Sequence, residues 1–160
     1  MPNNSFETII SSLGLSYYPG LQALSKPDKK RVTAQDTEKL SGSVPLDEDL
    51  KKSFPEDNRW DYVVAYDPER RESLYFIEIH PASSSDIKTV VAKKKWLDRW
   101  LAASGKVLKD YSSHVKYYWI STGKIKFHTN LKPGDNKFHA QIVALKKYNI
   151  EGPVTQLKIK

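Results

Sequence analysis

The stretch LYFIEIHPASSSD, Leu74 to Asp86, decides how this chain is read. Leu74, Tyr75, Phe76, Ile77 and Ile79 are aromatic or branched aliphatic residues, the types that fit a pleated surface. They occupy both alternating faces, the pattern of a central strand covered on each side. Pro81 has no N–H for a ladder and ends the strand. Glu78 and His80 break the pattern. They stand two residues apart and so share one face, where an unpaired buried charge costs several kcal/mol. Something must compensate them: a divalent cation, which takes one or two carboxylates plus waters or phosphate oxygens, or a lysine.

The flanking sequence supplies candidates. WDYVVAY (Trp60–Tyr66) reads as the preceding strand, joined through the polar loop DPERRES with Asp-Pro as its opener. If Tyr66 faces Tyr75, paired residue numbers sum to 141, with Asp61 opposite His80 and Val63 opposite Glu78. Paired residues share a face, so this register gathers Asp61, Glu78 and His80, whereas a slip of one residue sends Asp61 to the other side of the sheet. Downstream, Ser83 and Asp86 have capping-box-like spacing, with Asp where Glu or Gln is usual. Ile87, Val90, Val91, Leu97 and Leu101 recur at helical spacing, and Gly105 closes the helix. Lys94 lies in that apolar line and is expected to reach over the sheet toward Glu78. Lys93 and Lys95 flank the line and are expected to meet solvent or phosphate.

Around this centre, Ser5–Leu13 reads as a helix stopped by Gly14, and KLSGSVPL (Lys39–Leu46) as a short strand, followed by LDEDLKKSF as a short helix or turn. VKYYWIS (Val115–Ser121) is a strand, after which Thr122-Gly123 is expected to turn the chain into KIKFH (Lys124–His128). Lys137–Tyr148 is weakly helical, with Phe138, Ile142 and Leu145 on one face, and VTQLKIK reads as a terminal strand. The order helix, strand, strand, strand, helix, strand predicts an α/β (α+β) fold: a central mixed β-sheet flanked by helices, in one domain over residues 1–160.

Composition limits the function classes. The chain has no cysteine, which excludes a disulfide framework and a cysteine zinc site. It has neither a secretory signal nor an apolar run near the ~20 residues of a membrane helix, so a cytoplasmic location is expected. The net charge of +7 is uneven: residues 1–85 hold 10 Lys+Arg against 14 Asp+Glu, and residues 86–160 hold 16 against 5. A basic half beside an acidic one suits a protein that handles a polyanion through metal-binding carboxylates. Equally, surface lysines keep proteins soluble.

An Asp at the start of one core strand, Glu-x-(Lys) on the next and then a helix resembles the PD-(D/E)xK nuclease-like superfamily, whose restriction-endonuclease-like core runs α-β-β-β-α-β. The resemblance implies that Asp61 and Glu78 hold Mg²⁺ or Mn²⁺ and that Glu7 matches the helix-borne acid of some members. His80 stands where the family has lysine, and a lysine migrated to the adjacent helix would be Lys94. The implied activity is metal-assisted phosphodiester hydrolysis, with Lys94 or His80 orienting the nucleophile or assisting proton transfer. Lys88, Lys93, Lys95, Lys124 and Lys126 would grip the nucleic-acid backbone. The tract RWDY…IEIHPASSS is also similar to bacterial sequences without an assigned chemistry.

Plainer readings stand beside this one. Asp61 serves equally as a strand cap or a partner of Arg59 or a lysine, Glu78 as half of a structural salt bridge with Lys94, and His80 as a hydrogen-bonded structural residue. The chain is then a non-catalytic module that binds a protein or nucleic-acid partner. A metal enzyme built on His80 with Glu78 lacks a second histidine at useful spacing, and His114, His128 and His139 are expected at the surface. Trp60 and Trp119 are expected in the core. Trp96 and Trp100, one helical turn apart and off the apolar line, are expected to form an exposed patch for a homodimer or a protein partner.

Overall fold

The computed structural model describes residues 5–127 and 136–160, without the side chains of residues 136–139. Five strands form one mixed sheet in the order β2-β3-β4-β5-β6: β2 (Leu40–Pro45), β3 (Tyr62–Tyr66), β4 (Ser73–His80), β5 (His114–Ser121) and β6 (Ile150–Val154). β2, β3 and β4 form an antiparallel meander, while β5 lies parallel to β4 and β6 parallel to β5. Parallel neighbours require crossovers. Here α4 (Asp86–Ala102) with α5 (Lys106–Tyr111) leads from β4 to β5, and α6 (Asn136–Lys147) leads from β5 to β6. With α1 (Ser5–Ser12) in front, the order α1-β2-β3-β4-α4-β5 is the helix, three strands, helix, strand expected from the sequence. The small elements α2 (Lys26–Lys29), β1 (Val32–Ala34) and α3 (Leu46–Leu50) are inserted within it, and β7 (Leu157–Ile159) pairs in parallel with β1.

Both faces of β3 and β4 are covered, as their doubly apolar pattern requires. On one face Val63, Ala65, Leu74, Phe76 and Trp119 pack with Phe6 and Ile10 of α1, Leu108 of α5, Leu145 of α6 and the apolar stripe of α4. On the other, Val64, Tyr66, Tyr75, Ile77 and Ile120 pack with Leu24 and with Val32, Leu157 and Ile159 of the β1–β7 pair. Each large apolar side chain buried in this way contributes roughly 1.5–3 kcal/mol. The even-numbered residues of β4 face α4, and Glu78 and His80 lie on that face. No helix among the described residues is long and apolar enough to cross a membrane.

Four expectations are corrected. Tyr62 pairs with Ile77, so paired numbers sum to 139, not 141; the loop from Asp67 to Glu72, with positive φ at Glu69 and Arg70, sets the ladder one pair away from the expected register. The sum remains odd, so Asp61 stays on the face of Glu78 and now falls opposite it. Thr122-Gly123 does not start a hairpin: the chain crosses the end of β4, where the Lys126 N–H donates to the Ala82 carbonyl at 2.6 Å, and Ser83 and Lys126 form a parallel bridge. His128 lies outside the described residues, as does the side chain of His139. Helix α5 and strands β1 and β6 were not expected, because they are short and carry few apolar residues. Finally, Trp96 and Trp100 form no exposed patch. They are 4% and 5% exposed and stack at 6.3 Å, with the Trp96 Nε1–H on Asp57 at 3.0 Å and Phe54 edge-on. The loop before β3 and α5 behind Gly105 cover the flank that the helix alone leaves open.

Candidate functional site

The site forms where the start of β3 meets the end of β4. β4 has an antiparallel neighbour on one side and a parallel one on the other, and the carboxyl ends of β4 and β5 open beside the start of α4. Such changes of direction at strand ends are where open sheets leave room for ligands.

Glu78 is 0% exposed. Its Oε2 accepts from Lys93 Nζ at 2.5 Å, and its Oε1 is buried without a hydrogen-bond partner. Asp61 approaches from β3: its Oδ2 accepts the Ile79 N–H at 2.9 Å, and its Oδ1 lies 4.0 Å from Lys93 Nζ. Two acidic groups therefore share one ammonium. Burial, then the Asp61 charge, pushes the Glu78 carboxyl well above the usual range against the pull of Lys93. Burial also raises Asp61, opposed by Lys93 and the Ile79 N–H. Burial works against the Lys93 ammonium, but the charges of Glu78 and Asp61 outweigh it and raise its pKa.

The expected lysine is displaced by one position. Lys94 is buried at 2% exposure, as its place in the apolar line required, but its ammonium bonds Asp98 at 2.6 Å and sits 3.8 Å over the Tyr117 ring. Tyr117 pairs with Phe76, two residues before Glu78, so Lys94 serves a lower level of the sheet. Lys93 reaches Glu78 instead. The sequence held a signal for this: Val90, Lys93 and Leu97 fall at i, i+3 and i+7, and both flanking residues are 0% exposed.

His80 follows Glu78 on the same face. Its Nδ1 lies 3.8 Å from Glu78 Oε2, and its Nε2 lies 3.1 Å from Asp86 Oδ1. Asp86 Oδ2 accepts the Ser83 N–H at 2.9 Å and the Ser83 hydroxyl at 2.6 Å. Only the acidic arm of the expected capping box forms: the Asp86 N–H donates to the Ser83 carbonyl, and the Ser83 hydroxyl donates to the acid instead of accepting that N–H. Sequence reasoning saw in Asp86 a helix start and missed its link to His80.

The other expected residues disperse. Arg59 pairs with Asp47 at 3.0 Å rather than with Asp61. Glu7 is exposed on α1. Lys88 and Lys95 line a cavity between α4 and α6 of about 430 Å³, and Lys95 lies 5.2 Å over Tyr148. Lys124 and Lys126 line a different cleft, of about 340 Å³, beside Ser83 and Asp86. A third cleft of about 300 Å³ on the Asp61 side carries Asp28, Asp47 and Glu48. The five lysines thus form no continuous track.

Carboxylate oxygens are the donors that a small hard cation takes, and one of them, Glu78 Oε1, is buried and unpartnered, so the chemistry of the donor set fits a divalent ion at Asp61 and Glu78. Among the described residues no group of three or more Asp, Glu and His converges to hold a metal. An ion here would complete its shell with water or substrate oxygens, as Mg²⁺ commonly does. No protein-family model, curated protein or solved structure matches this chain.

Proposed function

We propose that this chain is a cytoplasmic, metal-dependent, nuclease-like protein that hydrolyses or binds nucleic-acid phosphodiesters. The observation that carries the reading is the convergence of Asp61, Glu78 and Lys93 at a strand end, with one carboxylate oxygen buried and unpartnered. Asp61 and Glu78 would hold Mg²⁺ or Mn²⁺, which when bound lowers the pKa of a coordinated water and offsets phosphoryl charge. The Lys93 ammonium is placed to neutralise charge developing on a phosphoryl oxygen. His80, 23% exposed at its side chain, is placed to take a proton from an attacking water. Lys124 and Lys126 would hold the backbone of the bound chain beside the site, and their contribution would fall with salt.

The test is cleavage of single- and double-stranded DNA and RNA with Mg²⁺ or Mn²⁺, with Glu78→Gln as control. Cleavage by the wild type that the variant abolishes supports the reading. Intact substrates under every condition refute hydrolysis. The tight Lys93–Glu78 contact favours a second reading, a non-catalytic binding module in which this ion pair only stabilises the fold. Salt-sensitive retention of nucleic acid without cleavage, unchanged in Glu78→Gln, would select that reading.

A further inference from the structure

The flank of α4 turned away from Lys93 borders a second place where a molecule can sit. Helix residues advance by about 100° each, so Lys95 projects about 160° from Lys93. On that flank α4 and α6 enclose the groove of about 430 Å³. Its floor is Ile87 and Val91, 2% and 8% exposed, and its walls carry Ala92 from α4 and Ala140 and Ala144 from α6. Protein interiors pack as densely as organic crystals, and these alanines stand where larger side chains would fill the gap. The Gln141 amide, also in the wall, donates to the Ser84 carbonyl at 3.4 Å and ties α6 to the loop before α4.

The rim is cationic. Lys88 and Lys95 are exposed and stand two turns apart on the α4 wall, about 10.5 Å along the axis. Lysine stems of this kind cover apolar surface while their ammonium groups stay in water. No acid lines the groove, and among the described residues neither lysine pairs with one; the lysines that do are Lys93, Lys94 and Lys106. Lys95 lies 5.2 Å over the Tyr148 ring, which leaves the Lys88 ammonium as the freer of the two.

An apolar trough under a cationic rim is complementary to a molecule with an apolar body and one anionic end. Small-molecule sites occupy roughly 300–1,000 Å³ and are mostly apolar, with a few placed polar groups, and this groove has that size and character. A nucleic-acid backbone would meet the two lysines but has no apolar body to cover Ile87 and Val91. We propose that the α4–α6 groove binds a medium-chain acyl carboxylate, its chain along Ile87 and Val91 and its carboxylate on the Lys88 ammonium. The proposal does not depend on the reading of Asp61 and Glu78, and either can fail without the other.

The test is nuclear magnetic resonance titration of the full chain with acetate, octanoate, decanoate and dodecanoate, each below its micelle concentration. Dodecyltrimethylammonium serves as the cationic counterpart. One dodecanoate is expected per chain, displacing the methyl signals of Ala92, Ala140 and Ala144. Affinity should rise by up to about 4-fold for each methylene buried, and acetate should not bind. Lys88→Ala should weaken dodecanoate by up to about 5-fold, the range of an exposed ion pair, and the difference should shrink with added salt. Ala140→Trp fills the groove from an exposed position and should abolish binding, with thermal melts showing that the variant folds; Ala144→Trp is the second variant. Absence of binding, equal binding of the cationic amphiphile, displaced signals away from the groove, or undiminished binding in both tryptophan variants overturns the proposal. Co-sedimentation with phosphatidylglycerol vesicles, without binding of the free carboxylates, would make the groove a membrane contact and overturn it as well.

Discussion

Replacing Lys93 with Met isolates the physical problem posed by Glu78. The substitution keeps most of the apolar stem and deletes the ammonium bonded to a fully buried carboxylate at 2.5 Å. Removing one partner of a buried pair leaves an uncompensated charge and costs about 3–5 kcal/mol. Here Asp61 adds a second negative charge, with nothing from Lys93 to offset it. Glu78 escapes by taking up a proton. Its folded pKa already lies above the ordinary value of 4.5 through burial and Asp61, and losing Lys93 pushes it further in the same direction. For a group raised on folding, the associated stability is present below the unfolded pKa and is lost as pH rises toward the folded one. The deficit of Lys93→Met should therefore be smallest near pH 5 and grow toward pH 8, by at most about 1.4 kcal/mol per pH unit. Urea unfolding of both proteins at pH 5, 6, 7 and 8 measures it. A deficit below about 1 kcal/mol that stays flat across this range would refute the claim that Lys93 neutralises a buried carboxylate.

Other substitutions test the remaining assignments. Lys94→Met should cost no more than about 2 kcal/mol by urea unfolding, since it loses a cation–π contact and a pair with the half-exposed Asp98, and it should leave ion binding intact; lost binding would return Lys94 to the site. Trp96→Ala should cost about 3–5 kcal/mol as a buried aromatic truncation, with the elution volume unchanged in size-exclusion chromatography. A changed oligomeric state with little loss of stability would mean that the ring forms an interface after all.

The sequence disclosed the central strands because their residues satisfy a strong local rule: apolar side chains on both faces of Trp60–Tyr66 and Leu74–His80 have few other uses. It disclosed the shared face of Asp61 and Glu78 because that depends only on the parity of the pairing, and the actual register differs from the expected one by two in the sum of paired numbers. What it hid was fixed by contacts distant in sequence. Successive helix residues differ by about 100° around the axis, so the choice between Lys93 and Lys94 depended on the height at which α4 crosses the sheet. The burial of Trp96 and Trp100 depended on Phe54, Asp57 and the unexpected α5. The Asp86–His80 link depended on a loop reversal from Pro81 to Ser85 that no periodicity announces.

Whether the charged cluster is there for the fold can be decided by energy. Taking two charges out of water offsets most of their mutual attraction, so a well-packed apolar pair of similar volume is often as stable as a buried ion pair, or more stable by about 1–4 kcal/mol. Glu78 already lies between Phe76 and the end of an apolar strand, under the fully buried Val90 and Leu97 of α4. The double substitution Glu78→Leu with Lys93→Met should therefore recover the loss of Lys93→Met and match or exceed wild-type stability in urea unfolding. If so, the fold does not need this acid and lysine, and chemistry at the site is the better account of their presence. A double variant several kcal/mol below the wild type, no better than the single one, would instead make the pair part of the scaffold. The case for an ion and for hydrolysis would then lose its physical ground.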